Sequence, residues 1–385
     1  MKILHVYDFF APGNSRFGFD LDLRLRGFGH EVHVLAGVGE MGPETGKTLD
    51  DIPFHTYPYG FGRSGTSMFG YTRRCNRDIF DRLQPREKFD LVLFNQPLSA
   101  SGVLRSKESR GVARSYSFIS PWAAEWEVSN PGVGGFRRWF QMGFRNRVED
   151  AALRECASIM VVSEFMLSQV RKRHPSVPRE RLQVVGGAVD LDLFCPNGSR
   201  TDNRKKLGLP ESGPLLVTVR RLVPRMGVGN LLRAMPSVLE KHPDATLVVG
   251  GDGPMRGEWE ALAEPMGERV RFLGYVPDGD LPVLYRAADV FVLPTLELEG
   301  FGLVLIEAMA CGTPALGTPV AAIPEVLEPS FLLPGTDVDS LVEGINRFLE
   351  GPRPANVREK VVRYDWNKVA RKAEQVLMKA LPTSP

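Results

Sequence analysis

The stretch Pro294-Thr295-Leu296-Glu297-Leu298-Glu299-Gly300-Phe301-Gly302-Leu303-Val304-Leu305-Ile306-Glu307-Ala308-Met309 limits the possible folds most sharply. The apolar run before it, 289–293, reads as a buried strand, and 303–311 as a helix with small residues on one side. A turn with two glycines joins them. A strand end, a Gly-rich turn and a helix start form the usual ligand position in an open parallel sheet. The helix start leaves backbone N–H groups unpaired, which suits a phosphate. An anion alone does not explain the two carboxylates, Glu299 in the turn and Glu307 in the helix. A sugar nucleotide has phosphates for the amides and hydroxyls for the carboxylates. An ordinary strand–turn–helix with solvated glutamates fits this stretch as well, so the rest of the chain has to decide.

At 385 residues the chain is too long for one typical core, and two domains are expected. A net charge of +2 gives no general case for nucleic acid as a partner. Cys75, Cys156, Cys195 and Cys311 are far apart, with no CxxC pair, as in a reducing compartment. The six histidines form no HxxxH pair, so no metal site is expected. The chain opens on a strand, so no signal peptide is expected, and no apolar run reaches the roughly 18–20 residues needed to span a bilayer. A cytoplasmic location follows, with the inner face of a membrane left open.

Both halves alternate apolar runs with amphipathic ones, the pattern of an α/β fold with doubly wound parallel sheets. In the first half, strands are expected at 3–7, 31–36, 89–94, 113–118, 158–162 and 182–185. Residues 37–75, rich in Gly, Pro and Ser, resist assignment. The first strand is not followed by GxGxxG, which counts against a dehydrogenase. Arg137, Arg138, Arg145 and Arg147 mix with Phe136, Trp139, Phe140 and Phe144. Their aromatic face is expected to pack on its own core; a basic surface for a membrane or an acidic acceptor is the alternative. The polar run 197–203 marks the domain boundary. Strands then recur at 215–219, 246–249, 270–273, 289–293, 314–317 and 331–333. The expected domains are 1–196, joined by a C-terminal helix at 365–385, and 197–364.

Four second-half loops follow strand ends. Arg221 and Arg225 flank a proline turn before a helix, and two planar, permanently charged forks there suit a diphosphate. Without an anion, such charge at a helix start is mildly unfavourable. Gly251 and Gly253 permit close backbone approach. Gly274-Tyr275-Val276 offers an edge and an apolar residue for a flat base. The opening stretch is the fourth loop, and all four converge on one crevice.

Glu299-Gly300-Phe301-Gly302-Leu303 through Glu307-Ala308-Met309-Ala310-Cys311-Gly312-Thr313-Pro314 resembles the E-x7-E signature of retaining GT-B glycosyltransferases, most like glycosyltransferase family 4. Arg221-Leu222, Gly251-Asp252-Gly253-Pro254 and Gly274-Tyr275-Val276 follow in the family's order, and Gly29-His30-Glu31-Val32 and Val162-Ser163-Glu164-Phe165 are similar too. The resemblance implies two Rossmann-like domains facing across a cleft and transfer of a sugar from a UDP- or GDP-sugar to a hydroxyl acceptor. It implies no cofactor and no metal; lipid, metabolite and polysaccharide acceptors all stay open. Glu307 would bind the ribose hydroxyls and Glu299 those of the sugar. Gly300, Phe301, Gly302 and Leu303 would offer backbone contacts, Arg221 and Arg225 would hold the diphosphate, Val276 the base, and Gly13 would line the cleft. Three positions depart from the pattern. Arg220 stands for the usual Gly and Met226 for Lys, while Ile119 replaces the first-domain His of Phe-His-Gly-Pro. Asn95, Ile119 and Glu125 are the candidates on the acceptor side. A nucleotide-sugar-binding protein with little transferase activity is the alternative reading. Glu299→Ala or Arg221→Ala is expected to abolish transfer and leave the chain folded.

Overall fold

A computed structural model describes residues 1–10, 16–39, 46–60 and 65–382. The chain divides into two compact units, Met1–Gly186 with Asn367–Pro385, and Gly187–Trp366. The division falls ten residues before the expected 196/197 boundary.

The first unit carries strands β1 (Lys2–Phe10), β2 (Glu31–Val38), β3 (Thr48–Leu49), β4 (Ile52–Pro58), β5 (Leu91–Phe94), β6 (Ala113–Phe118), β7 (Ser158–Val161) and β8 (Leu182–Val184). They form one sheet in the order β3-β4-β2-β1-β5-β6-β7-β8. All pairs are parallel except β3 with β4. Burial on both faces explains why β5, and β7 after Ser158, read as unbroken apolar runs rather than alternating ones. The helix Arg16–Gly27 buries Leu21 and Leu25, four residues apart on one face, and the chain leaves it at Gly29 with φ 91°. The same helix buries Asp22, whose carboxylate takes His5 Nδ1 at 2.7 Å and the Tyr7 hydroxyl at 2.9 Å.

The segment 37–75 that resisted assignment holds β3, β4 and the start of the helix Gly65–Glu87. Pro53 and Pro58 in β4 hide a strand that pairs on one side with β2. The C-terminal helix Trp366–Met378 joins this unit through Glu374, 2.7 Å from His30 Nε2, and just past its end Lys379 Nζ lies 3.1 Å from Gln183 Oε1. The helix Gly135–Arg154 corrects an expectation: Phe144 packs edge-on against Phe69 at 5.2 Å, but Phe136, Trp139 and Phe140 are 81%, 70% and 53% exposed.

The second unit holds β9 (Leu215–Val219), β10 (Thr246–Gly250), β11 (Val270–Gly274), β12 (Val290–Leu293) and β13 (Ala315–Gly317), all parallel, in the order β11-β10-β9-β12-β13. The helix Val228–Lys241 repeats Val228, Leu231, Leu232, Met235 and Val238, a stripe at helical spacing that is wholly buried. That stripe, the sheet residues Leu216, Val249 and Val292, and Leu341 and Ile345 of the helix Val338–Glu350 make one core. The expected short strand at 331–333 is instead a 3-10 turn, Pro329–Phe331, with one isolated bridge from Leu332 to Gly317. Proline early in such a turn supplies the fixed φ and needs no N–H partner.

Candidate functional site

Because the second sheet is all parallel, the carboxyl ends of its strands share one edge. β9 is followed by Arg220 to Gly227, β10 by Gly251 to Gly253, β11 by Tyr275 and Val276, and β12 by Pro294 to Gly302. The strand order reverses between β9 and β12, so the crevice of this sheet opens between the Arg220 loop and the Glu299 loop.

An ion pair bridges those two loops. Arg220 Nη2 donates to Glu299 Oε2 at 2.6 Å, with the side chains only 8% and 13% exposed. Thr295 Oγ1 lies 3.4 Å from the same oxygen. Both contacts fall on Oε2. Buried Arg220 Nε has no partner among the described residues. Leu296 N donates to Arg225 O at 2.9 Å, Arg225 Nη1 to Leu298 O at 3.1 Å, and Ala322 N to Glu299 O at 3.2 Å. These bonds hold Leu298 at φ 57°, a strained value for a branched residue. Arg225 therefore supports the turn that presents Glu299. Arg221 is exposed and has no ion pair among the described residues.

The glycines let neighbouring loops touch. Gly251 has φ 113°, and a Cβ there would overlap the Arg220 carbonyl; one on Gly253 would overlap that of Leu222. Gly227, at φ 72°, lies against the Pro294 carbonyl in the same way. Bonds stitch the loops in sequence: Arg220 N to Gly250 O at 2.9 Å, Leu222 N to Asp252 O at 2.9 Å, and Gly251 N to Gly274 O at 2.6 Å. The close approach inferred for these glycines is thus made chain to chain.

Gly302, at φ 87°, is the N-cap of the helix Leu303–Ala310 and makes no side-chain cap bond to its first N–H groups. Those donors face the turn that carries Gly300 and Glu299. Glu307 is buried one turn into the helix and accepts the Tyr285 hydroxyl at 2.9 Å. Phe301 is buried against Gly187, where a Cβ would overlap its ring, and lies edge-on to Tyr364 at 5.1 Å. Val276 is half-buried over Gly250, whereas Tyr275 beside it is 66% exposed.

In the first unit, Asn95 follows β5 and Ile119 follows β6 at the carboxyl edge. Asn95 Oδ1 is buried without a partner among the described residues. Ser120 Oγ donates to Glu125 Oε1 at 2.7 Å. Gly13 lies outside the described residues. Sequence reasoning passed over Asp8, the acid that follows the apolar run of β1. It is buried and accepts Ser99 N at 2.6 Å and Leu98 N at 3.3 Å, at the start of the helix Pro97–Val103. Burial pushes its carboxyl from 3.8 up to about 6, although the Ser99 and Leu98 bonds favour the charged form. A raised folded value favours the neutral acid. Its stabilising contribution is full below pH 3.8 and lost as pH rises through about 6. We expect the stability of the wild type relative to Asp8→Asn to fall by up to about 3 kcal/mol between those limits, in denaturant unfolding at a series of pH values. A pH-independent difference would rule this out.

Glu31, His33 and Glu87 are a group whose ligand atoms lie within 4.8 Å of one another. The Lys2 ammonium already stands between the carboxylates, 2.8 Å from Glu31 and 2.5 Å from Glu87. Its hydrogen bonds hold both carboxyls below the ordinary range.

Residues 199–367 match the model of the family glycosyl transferases group 1, and residues 15–193 that of Glycosyltransferase Family 4. The chain belongs to the GT-B glycosyltransferase family. Its relatives include a GDP-mannose-dependent monoacylated alpha-(1-6)-phosphatidylinositol monomannoside mannosyltransferase of Corynebacterium glutamicum, 32% identical over 50% of this chain and 52% of that one. A GDP-mannose-dependent alpha-(1-6)-phosphatidylinositol monomannoside mannosyltransferase of Mycolicibacterium smegmatis is 33% identical over 54% of this chain and 58% of its own length. The chain thus spans a little over half the length of the curated relatives it matches. Sucrose-phosphate synthase from Thermosynechococcus elongatus has the same fold, with a TM-score of 0.83 at 23% identity over 98% of both chains.

Within this GT-B family, the departure at position 220 gains a structural reason. Arg220 is not an idle replacement for glycine but the counterion of Glu299. The Arg220-Arg221 doublet at a strand end was the available signal. A lone strand end gave no way to tell which arginine turns inward.

Proposed function

We propose that the chain transfers a sugar from a nucleotide-diphospho-sugar to a hydroxyl acceptor, with retention at the anomeric carbon and without a metal. The observation that carries this reading is the Arg220–Glu299 pair at the reversal point of the second sheet. It fixes Glu299 through Oε2 and leaves Oε1 for a sugar hydroxyl. The uncapped start of the helix Leu303–Ala310 supports a phosphate beside it, with the exposed Arg221 as the mobile counterion. Buried Glu307, oriented by Tyr285, takes the ribose hydroxyls, and Val276 with exposed Tyr275 lies at the base. As the glycosidic bond breaks, negative charge grows on the leaving diphosphate. Preset amides and arginine stabilise that charge more than they do the bound donor. The diphosphate takes up the proton of the acceptor hydroxyl.

The two mannosyltransferase relatives favour GDP-mannose as the donor and an inositol lipid as the acceptor. A thermal-shift panel of GDP, UDP, ADP and their sugars tests the donor. Ligand at 100 times its dissociation constant adds roughly 2.7 kcal/mol of stability. We expect GDP and GDP-mannose to shift melting most, and GDP-mannose to be consumed with a lipid acceptor. A shift with no sugar transferred to any acceptor would favour a binding protein; no shift with any nucleotide would overturn the reading.

A further inference from the structure

The proposed reaction uses neither thiol of the second unit, yet the fold brings the two segments that carry them side by side. Cys195 is half-buried on the segment that enters the unit, and Cys311 is buried at the C-cap of the helix Leu303–Ala310. One guanidinium ties the two segments together: Arg358 Nη1 donates to Phe194 O at 2.7 Å and to Ala310 O at 2.5 Å. On the far flank, a Cβ on Gly312 would meet the Pro196 ring at 3.5 Å. Residues 194 and 196 thus lie against residues 310 and 312, with Cys195 and Cys311 between them. A disulfide asks for such adjacent backbones, Cα to Cα about 4.4–6.8 Å. A second guanidinium holds Cys195: Arg286 Nε donates to its carbonyl at 2.6 Å, and Nη2 lies 3.8 Å from its sulfur. The same charge reaches the other thiol. Burial pushes Cys311 from 9.0 up to about 12, with Arg286 opposing the rise and Cys195 adding to it.

We propose that Cys195 and Cys311 close a reversible disulfide when the protein meets hydrogen peroxide, and that the bridge weakens nucleotide binding at the helix Leu303–Ala310. The second half rests on the donor reading above. The two thiols take different parts. The Cys195 thiolate, on the more open side, attacks one peroxide oxygen. The O–O bond breaks, and the other oxygen leaves as hydroxide and takes up a proton to become water. The sulfur is oxidised to a sulfenic acid and the peroxide is reduced. Arg286 Nη2 stands where it donates to the new sulfenic oxygen. Cys311, buried and protonated, is slow with peroxide in solution but lies beside the sulfenic sulfur once that forms. Its sulfur attacks there: the S–S bond forms, the S–O bond breaks, and the Cys311 proton leaves with the hydroxyl as a second water. A dithiol reductant reverses the bridge by exchange. The bridge lands on the helix end that supports the ribose carboxylate. Cys311 N donates to Glu307 O at 3.1 Å, and Thr313 Oγ1 donates to the carbonyl of Tyr285 at 2.6 Å. Tyr285 in turn orients Glu307. A pull on Cys311 therefore reaches Glu307 through its own helix and through Tyr285.

The test is exposure of the full chain to hydrogen peroxide, blocking of the remaining free thiols, and mass mapping of its peptides. We expect a peptide pair joined through Cys195 and Cys311, lighter by the hydrogens of both thiols and parted again by dithiothreitol. Cys311→Ala should stop at the sulfenic acid of Cys195, which dimedone labels. Cys195→Ser should leave Cys311 reduced; it changes a half-buried side chain by one atom, so it keeps the test open if Cys311→Ala fails to fold. Calorimetric titration of GDP and UDP reads the consequence. Affinity should fall at least about fivefold on oxidation of the wild type, return with dithiothreitol, and stay unchanged by peroxide in Cys195→Ser. Both thiols still free after peroxide, or bridged only to Cys75 or Cys156, would overturn the proposal. So would a Cys195–Cys311 bridge that leaves nucleotide affinity unchanged. A reduced wild type that binds neither nucleotide would instead overturn the donor reading, and the mapped bridge would then stand or fall by mass alone.

Discussion

Arg220→Ala is expected to lower folding stability by about 3–5 kcal/mol, because it leaves a carboxylate in a site with little water and no counterion. The Glu299 side chain is 13% exposed, and its other contact, Thr295 Oγ1 at 3.4 Å, is too long to replace a charge. Glu299→Ala should cost a similar amount by stranding a guanidinium that is 8% exposed and already has one unpartnered nitrogen. The Arg220→Met/Glu299→Leu double variant should recover most of the loss, since a well-packed apolar pair can match a buried ion pair. A double-mutant cycle by denaturant unfolding measures the coupling, expected above about 2 kcal/mol. Two single variants within about 1 kcal/mol of wild type, with additive effects, would show that the pair does not support the loops. This changes what Glu299→Ala can say about chemistry. The sequence alone predicts that it removes transfer and leaves the chain folded. With Arg220 as its buried partner, lost transfer in that variant mixes unfolding with catalysis. Glu299→Gln keeps a hydrogen-bond acceptor for Arg220 and is the cleaner probe.

Arg221→Ala is expected to reduce transfer by about 100- to 1000-fold, the usual consequence of removing one charge-stabilising donor from a transition state. Stability should stay within about 0.5 kcal/mol, because the side chain is exposed and unpaired. The two effects separate two neighbouring arginines: one builds the crevice, and the other acts in it. Arg225 also braces the crevice, since its Nη1 donates to Leu298 O at 3.1 Å. Steady-state kinetics on Arg221→Ala, with its unfolding curve, tests this division. Near-normal turnover would remove Arg221 from the proposed phosphate site.

Much of the second unit was legible because its signals are local. The strands around 215–219, 246–249, 270–273 and 289–293 are apolar runs closed by glycine, arginine or proline, and the structure has strands there. The turn after β12 was legible for the same reason, since Gly302 must take φ 87° to start the helix. What was missed depends on neighbours far along the chain. Arg220 and Glu299 are 79 residues apart, and nothing within ten residues of either reveals the pair. Asp8 reads as a solvated acid until the helix Pro97–Val103, about 90 residues later, is seated on it. The β4 strand was hidden by its prolines, and the exposure of Phe136, Trp139 and Phe140 by their composition. Aromatic residues at helical spacing look the same whether they face a core or water.

Calorimetric titration of a nucleoside diphosphate, and of the matching monophosphate, into wild type and Arg221→Ala tests the central claim most directly. If the edge between the Arg220 and Glu299 loops holds a diphosphate, the wild type should bind the diphosphate at least about tenfold more tightly than the monophosphate. Arg221→Ala should lose most of that preference while keeping monophosphate affinity. Equal affinity for both nucleotides in the wild type, or an unchanged preference in the variant, would contradict the account.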